Sequence, residues 1–64
     1  MKVVLGDGII KDIKVEKALI EDILIELKIN PVEVIVSKNG KITSEYNEVG
    51  PDDQIKIIRI IHGG

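Results

Sequence analysis

The sequence predicts an α+β domain in which one helix packs on one face of a four- or five-stranded mixed sheet. Three observations predict it. The chain has 64 residues, room for one domain at most. Val and Ile supply 21 of them, and apolar types reach 44 % against 31 % charged, a composition that buries a core rather than staying disordered. Apolar residues follow a helical period in one stretch only, near Glu16 to Ile29, with β-branched runs on both sides. The resulting order, β-β-α-β-β-β, leaves a chain this short one way to cover its apolar surface: a single helix laid on a single sheet. We therefore treat residues 1–64 as one domain, with residues 62–64 expected to form a flexible C-terminal tail.

The elements follow in order. Residues 2–5 (KVVL) are β-branched and apolar, which suits a strand. Gly6-Asp7-Gly8 reads as a hairpin turn, and residues 9–15 as the returning strand, with Ile9, Ile13 and Val15 on one side. Leu19, Ile20, Ile23, Leu24 and Leu27 then mark one stripe of a helix, and Ile25 falls opposite it. No residue before the helix is a good N-cap, so its start is open by a turn, whereas Pro31 ends it near Lys28 or Ile29. Residues 32–37 (VEVIVS) form the third strand, and Asn39-Gly40 is a type I′ hairpin signal. A two-residue loop there sets Lys38 opposite Lys41, a like-charge conflict that a longer loop or splayed side chains would remove. Residues 41–44 make a short strand, residues 45–53 a loop turning at Gly50-Pro51-Asp52-Asp53, and residues 54–61 (QIKIIRII) the last strand. Tyr46, the lone aromatic, is expected to lie as a lid over the edge of the core.

The composition excludes several function classes. There is no Cys, hence no disulfide framework, thiol chemistry or cysteine-held metal, and the single His62 cannot build a metal site alone. One aromatic and a net charge of −2 give neither a stacking platform nor a basic footprint for nucleic acid. Apolar runs never exceed three residues, so no membrane span is expected. Gly6, Asp7 and Gly8 interrupt what would otherwise start like a signal peptide, so the expected location is the cytoplasm. Gly6-Asp7-Gly8 is no dinucleotide loop, because Lys11 stands where the third glycine belongs. Asp52 and Asp53 lack the further oxygen ligands of a calcium loop and read as turn residues.

The layout, the Gly-Pro-Asp-Asp-Gln-Ile turn (residues 50–55) leading into the last strand, and the closing Gly63-Gly64 resemble the ubiquitin-like β-grasp family. Its small sulfur carriers are the most similar branch: the thiamine-biosynthesis carrier, the small subunit of molybdopterin synthase, and the archaeal small modifier proteins. The resemblance implies a carrier rather than an enzyme. The Gly64 carboxylate would be adenylated by a partner of the ubiquitin-activating type and converted to a thiocarboxylate. That species would pass its sulfur to a downstream sulfur-accepting enzyme or to transfer-RNA thiolation. ATP and magnesium would belong to the partner, a sulfur donor would supply the second step, and this chain would bind no cofactor. It would be monomeric when free.

The residues support that reading independently. A segment without side chains can thread a narrow channel, so Gly63 and the preceding His62 would enter the partner's active site ahead of Gly64. The plain reading of the same residues is an idle end, and of His62 a solvated side chain. In the last strand, alternation sets Ile55 and Ile57 on one face and Lys56, Ile58 and Ile60 on the other. If the first pair faces the helix, Ile58 and Ile60, with Ile42 from the fourth strand and Arg59 among them, would form a docking patch, which the resemblance assigns to the activating enzyme. Two readings compete with the carrier: a protein modifier joined to targets through Gly64, and a non-catalytic interaction module with an idle tail.

Overall fold

A computed structural model of the chain describes residues 1–60; the expected tail at residues 62–64 lies outside the described residues. Among the described residues, seven strands and one helix follow in the order β1 (Lys2–Leu5), β2 (Ile10–Asp12), β3 (Ala18–Leu19), α1 (Ile20–Glu26), a 3₁₀ turn (Pro31–Glu33), β4 (Val34–Lys38), β5 (Lys41–Thr43), β6 (Glu48–Val49) and β7 (Gln54–Arg59). Five strands form the main sheet in the order β2-β1-β7-β4-β5. β1 and β7 lie side by side and parallel at its centre, with Val3 opposite Ile55 and Leu5 opposite Ile57. The other neighbours are antiparallel. This is the expected α+β, ubiquitin-like β-grasp layout. The helix-bearing segment between the two hairpins supplies the long crossover that a parallel pair requires.

One face of the sheet builds the core. Val3, Val36, Ile55 and Ile57 are buried together with Ile20, Ile23 and Leu24 of α1 and with Met1 and Val49. The apolar stripe read from residues 19–27 is therefore the buried face of the helix, except at Leu19, which belongs to β3 and is exposed. Ile25 points away from the core and is exposed, as its position off the stripe requires.

The helix is shorter than its periodicity predicts. It begins at Ile20 rather than near Glu16, because Ala18 and Leu19 pair with Val49 and Glu48 in a second, two-stranded sheet. The missing N-cap side chain is replaced by backbone: Ile20 N–H donates to the Asn47 carbonyl at 2.9 Å and Glu21 N–H to the Glu45 carbonyl at 2.8 Å. Two of the N–H groups that any helix start leaves free are thus satisfied by a loop distant in sequence. The helix ends at Glu26, short of the Lys28 or Ile29 end read from Pro31, because the chain turns out of the helix at Lys28. Lys28 takes the left-handed conformation (φ 61°), and Ile29 N–H donates to the Leu24 carbonyl at 2.8 Å, the closure usually made with glycine. Asn30 then accepts from Val32 N–H and opens the 3₁₀ turn.

Other departures have local causes. The second strand is Ile10–Asp12, not residues 9–15, and Ile9 is exposed. Asp7 Oδ1 accepts from Ile9 N–H, and Leu5 N–H donates to the Ile9 carbonyl, so the turn holds Ile9 at its rim. Ile13 still exchanges two backbone bonds with Met1, each 2.8 Å, whereas Val15 lies beyond the ladder, and both pack against the core. The loop at residues 45–53 contains β6, whose Val49 is fully buried. Tyr46 is no lid: it is 69 % exposed.

The Asn39-Gly40 turn has positive φ at both residues (51° and 88°), as type I′ geometry demands, and Lys38 does face Lys41. Splayed side chains relieve the conflict: Lys38 Nζ reaches the Glu48 carbonyl at 3.0 Å and lies 3.9 Å from Asp53 Oδ2.

Candidate functional site: the open face of the sheet

The register defines the face turned away from α1. Val3, Ile55, Ile57 and Val36 point to the core, so their strand neighbours Lys2, Val4, Gln54, Lys56, Ile58, Ile35 and Ser37 occupy the opposite face. Ile10, opposite Val4, and Ile42, opposite Ser37, extend it to both edge strands. A half-solvated sheet usually alternates apolar-in and polar-out. Here the outer face keeps an apolar residue on every strand. Ile58 is 45 % exposed and sits directly across from Ile35 at 39 %, while Ile42 is 80 % and Ile10 59 % exposed. Val4 is half-buried between its neighbours.

The charges on this face are unequal. Lys2 and Lys56 lie within it, and the carboxylate that shares it, Asp12, stands at the β2 edge opposite Lys2. Glu21, Asp22 and Glu26 lie on α1, on the other side of the sheet. The face is thus apolar with a cationic component. Burying it would gain roughly 25 cal/mol for each Å² of apolar surface removed from water.

The expected docking residues fall as follows. Ile58 and Ile42 are exposed on the open face, with β4 lying between their strands and Ile35 filling the position beside Ile58. Ile60 is half-buried beyond the end of β7, and its N–H donates to the Glu33 carbonyl at 2.7 Å. Arg59 is exposed and pairs across β4 with Val34, on the side facing α1 rather than among the open-face isoleucines. His62, Gly63 and Gly64 lie outside the described residues. Ile35, Val4 and Ile10 complete the patch and were not singled out from the sequence. Alternation alone gives two possible faces for each short strand, and only the register between strands says which apolar residues share one.

A second polar arrangement lies at the start of β7. Asp53 accepts from Asn39 Nδ2 at 2.9 Å and from Gly50 N–H at 2.7 Å, and Asn39 Oδ1 accepts from Gln54 N–H at 3.0 Å. These bonds, chiefly that from Asn39, hold the Asp53 carboxyl below its ordinary value, and Lys38 adds to the effect. The turn reading of Asp53 is therefore correct: it clasps the β4–β5 turn to the turn before β7.

Among the described residues no group of three His, Cys, Asp or Glu side chains is placed to hold a metal ion, and no helix is long and apolar enough to cross a membrane. A cavity of about 340 Å³ is lined by Met1, Lys14, Val15, Glu16 and Pro51, none of them a residue singled out for function. Neither the models of protein families nor the curated proteins match the chain.

Proposed function

We propose that this protein is a ubiquitin-like sulfur carrier acting in the cytoplasm. The observation that supports it best is the course of β7. The strand is central in the sheet, presents Ile58 on an exposed apolar face, and leads in sequence to Gly63-Gly64. A partner enzyme gripping that face would hold the domain while the side-chain-free glycines reach its active site.

The chemistry follows from the carboxylate. One oxygen of the Gly64 carboxylate attacks the α-phosphorus of ATP held with magnesium by the partner, and pyrophosphate leaves. The acyl-adenylate is then attacked at carbon by a sulfide-level donor, and AMP leaves with the former carboxylate oxygen. The product is a thiocarboxylate that a sulfur-accepting enzyme can use. Beyond the Gly64 carboxylate itself, the carrier needs no base, nucleophile or cofactor of its own. Ligation to protein amines through the same adenylate is the alternative outcome. The reading requires Gly64 to bear the free carboxylate in the natural protein.

The test uses the intact protein, an adenylating enzyme of the ubiquitin-activating type from the same source, ATP with magnesium, and sulfide. The expected result is the mass change of one sulfur-for-oxygen exchange, located in the C-terminal peptide. Extension past Gly64 by one residue should abolish it, since misplacement by about 1 Å already costs about a hundredfold in rate. Ile58→Asp should weaken binding to the enzyme while the chain stays folded by circular dichroism, because Ile58 lies outside the core. An unmodified native chain, or an extended chain that reacts equally well, overturns the carrier reading and favours the interaction module.

A further inference from the structure

Asn39 combines a reactive sequence with an unusual restraint. An asparagine followed by glycine is chemically exposed, because Gly40 has no Cβ to shield its amide nitrogen from the Asn side chain. In this fold both ends of that side chain are hydrogen-bonded. Its Nδ2 donates to Asp53 Oδ1 at 2.9 Å, its Oδ1 accepts from Gln54 N–H at 3.0 Å, and its own backbone N–H donates to the Gln54 carbonyl at 2.8 Å. Asp53 is anchored in turn by Gly50 N–H at 2.7 Å. Both bonds oppose the side-chain rotation that would carry the amide carbon onto the Gly40 nitrogen.

We propose that Asn39 is a site of covalent modification by intramolecular deamidation, that the clasp to Asp53 and Gln54 restrains the reaction, and that its product unlocks the clasp. The Gly40 amide nitrogen, deprotonated by solvent base, attacks Cγ of Asn39. The new C–N bond closes a succinimide, the Cγ–Nδ2 bond breaks, and Nδ2 departs as ammonia with a proton from water. Water then opens the ring to aspartate or isoaspartate. No oxidant or cofactor takes part.

The product reverses the sign of the contact. The donor that met Asp53 becomes a carboxylate, so two anions face each other where one hydrogen bond stood. Lys38, at 3.9 Å from Asp53, is the cation nearest the pair, and Lys41 stands across the turn from Lys38. An isoaspartyl link would also lengthen the backbone inside a two-residue turn and break its register. Either product loosens the attachment of the β4–β5 turn to the start of β7.

The test follows conversion at Asn39 by peptide mass mapping of the full chain at mildly alkaline pH, in native buffer and in urea. If the two side-chain bonds restrain the amide, the native protein should convert at least about tenfold more slowly than the unfolded one. Asp53→Ala, folded by circular dichroism, should recover much of that factor. Asn30, followed by Pro31 with no N–H, and Asn47, followed by Glu48, serve as internal controls that should stay intact over the same interval. Equal rates in buffer and urea overturn the restraint, as does a folded Asp53→Ala that converts no faster than wild type. If that variant does not fold, the comparison of Asn39→Asp with Asn39→Ser decides. The aspartate should denature at lower urea, with a deficit that shrinks at high salt; equal midpoints overturn the proposal that the product unlocks the clasp.

Discussion

Val32 and Val49 exchange the roles that their sequence surroundings assign. Val32 opens the β-branched run VEVIVS, whereas Val49 sits in the polar segment EYNEVGPDD. In the fold Val32 lies in the 3₁₀ turn and is exposed, while Val49 is in the core and pairs through β6 with Ala18. Truncating Val49 to Ala removes two buried carbons, a transfer loss of about 1.6 kcal/mol. The cavity left behind adds about 1 kcal/mol. We expect a total of about 2–3 kcal/mol, a large share of the roughly 3–10 kcal/mol available to a domain of this size. The cost should also reach the helix start, because β6 follows the loop whose Glu45 and Asn47 carbonyls cap Ile20 and Glu21. Val32→Ala should change stability by no more than about 0.5 kcal/mol. Urea unfolding followed by circular dichroism measures both variants, with a lowered midpoint and unchanged slope expected for Val49→Ala. Equal effects, or a larger loss at Val32, would refute the assignment of Val49 to the core.

Two further outcomes follow from local geometry. Lys28→Gly should raise stability by about 0.5–1 kcal/mol, because Lys28 holds a left-handed φ that costs a side-chain-bearing residue and suits glycine; thermal unfolding checks it. Asp53 should make the fold acid-sensitive. Its folded-state pKa lies below the ordinary 3.8, so its stabilising contribution is complete above that value and disappears as pH falls below it. Asp53→Asn should therefore lower the urea midpoint at neutral pH and show a smaller further loss on acidification than wild type does.

Much of the fold is set by short-range rules. Alternation in QIKIIR sets Ile55 and Ile57 on one face and Ile58 on the other, and the structure turns the first pair to the core. Asn39-Gly40 dictates a two-residue turn because both positions require positive φ. Pro31 bars helical geometry at Asn30, but the helix has already closed at Lys28, and the single helical stripe decides which side of α1 is buried. That Ile58 lies opposite Ile55 and Ile57 was legible for the same reason, since a period of two needs only neighbours in sequence, whereas Ile42 reaches the same face only through the registers of β4 with β5 and β7.

Tertiary structure decided what depends on distant partners. Strands of two residues have no period to read, so β3 and β6 are invisible until they meet, and with them the burial of Val49 and the late start of α1. The helix cap is made by carbonyls from Glu45 and Asn47, and no residue near Ile20 announces it. The Lys38–Lys41 conflict is resolved by Glu48 and Asp53, which local sequence does not place beside Lys38. The extent of the open face is of the same kind. Ile35 joins Ile58 because β4 pairs with β7, and Val4 and Ile10 share that face through the registers of β1 with β7 and β2. Sequence determines the conformational preference of each segment through forces acting over a few residues; which segments satisfy one another's hydrogen bonds and cover one another's apolar surface is settled only when the chain closes.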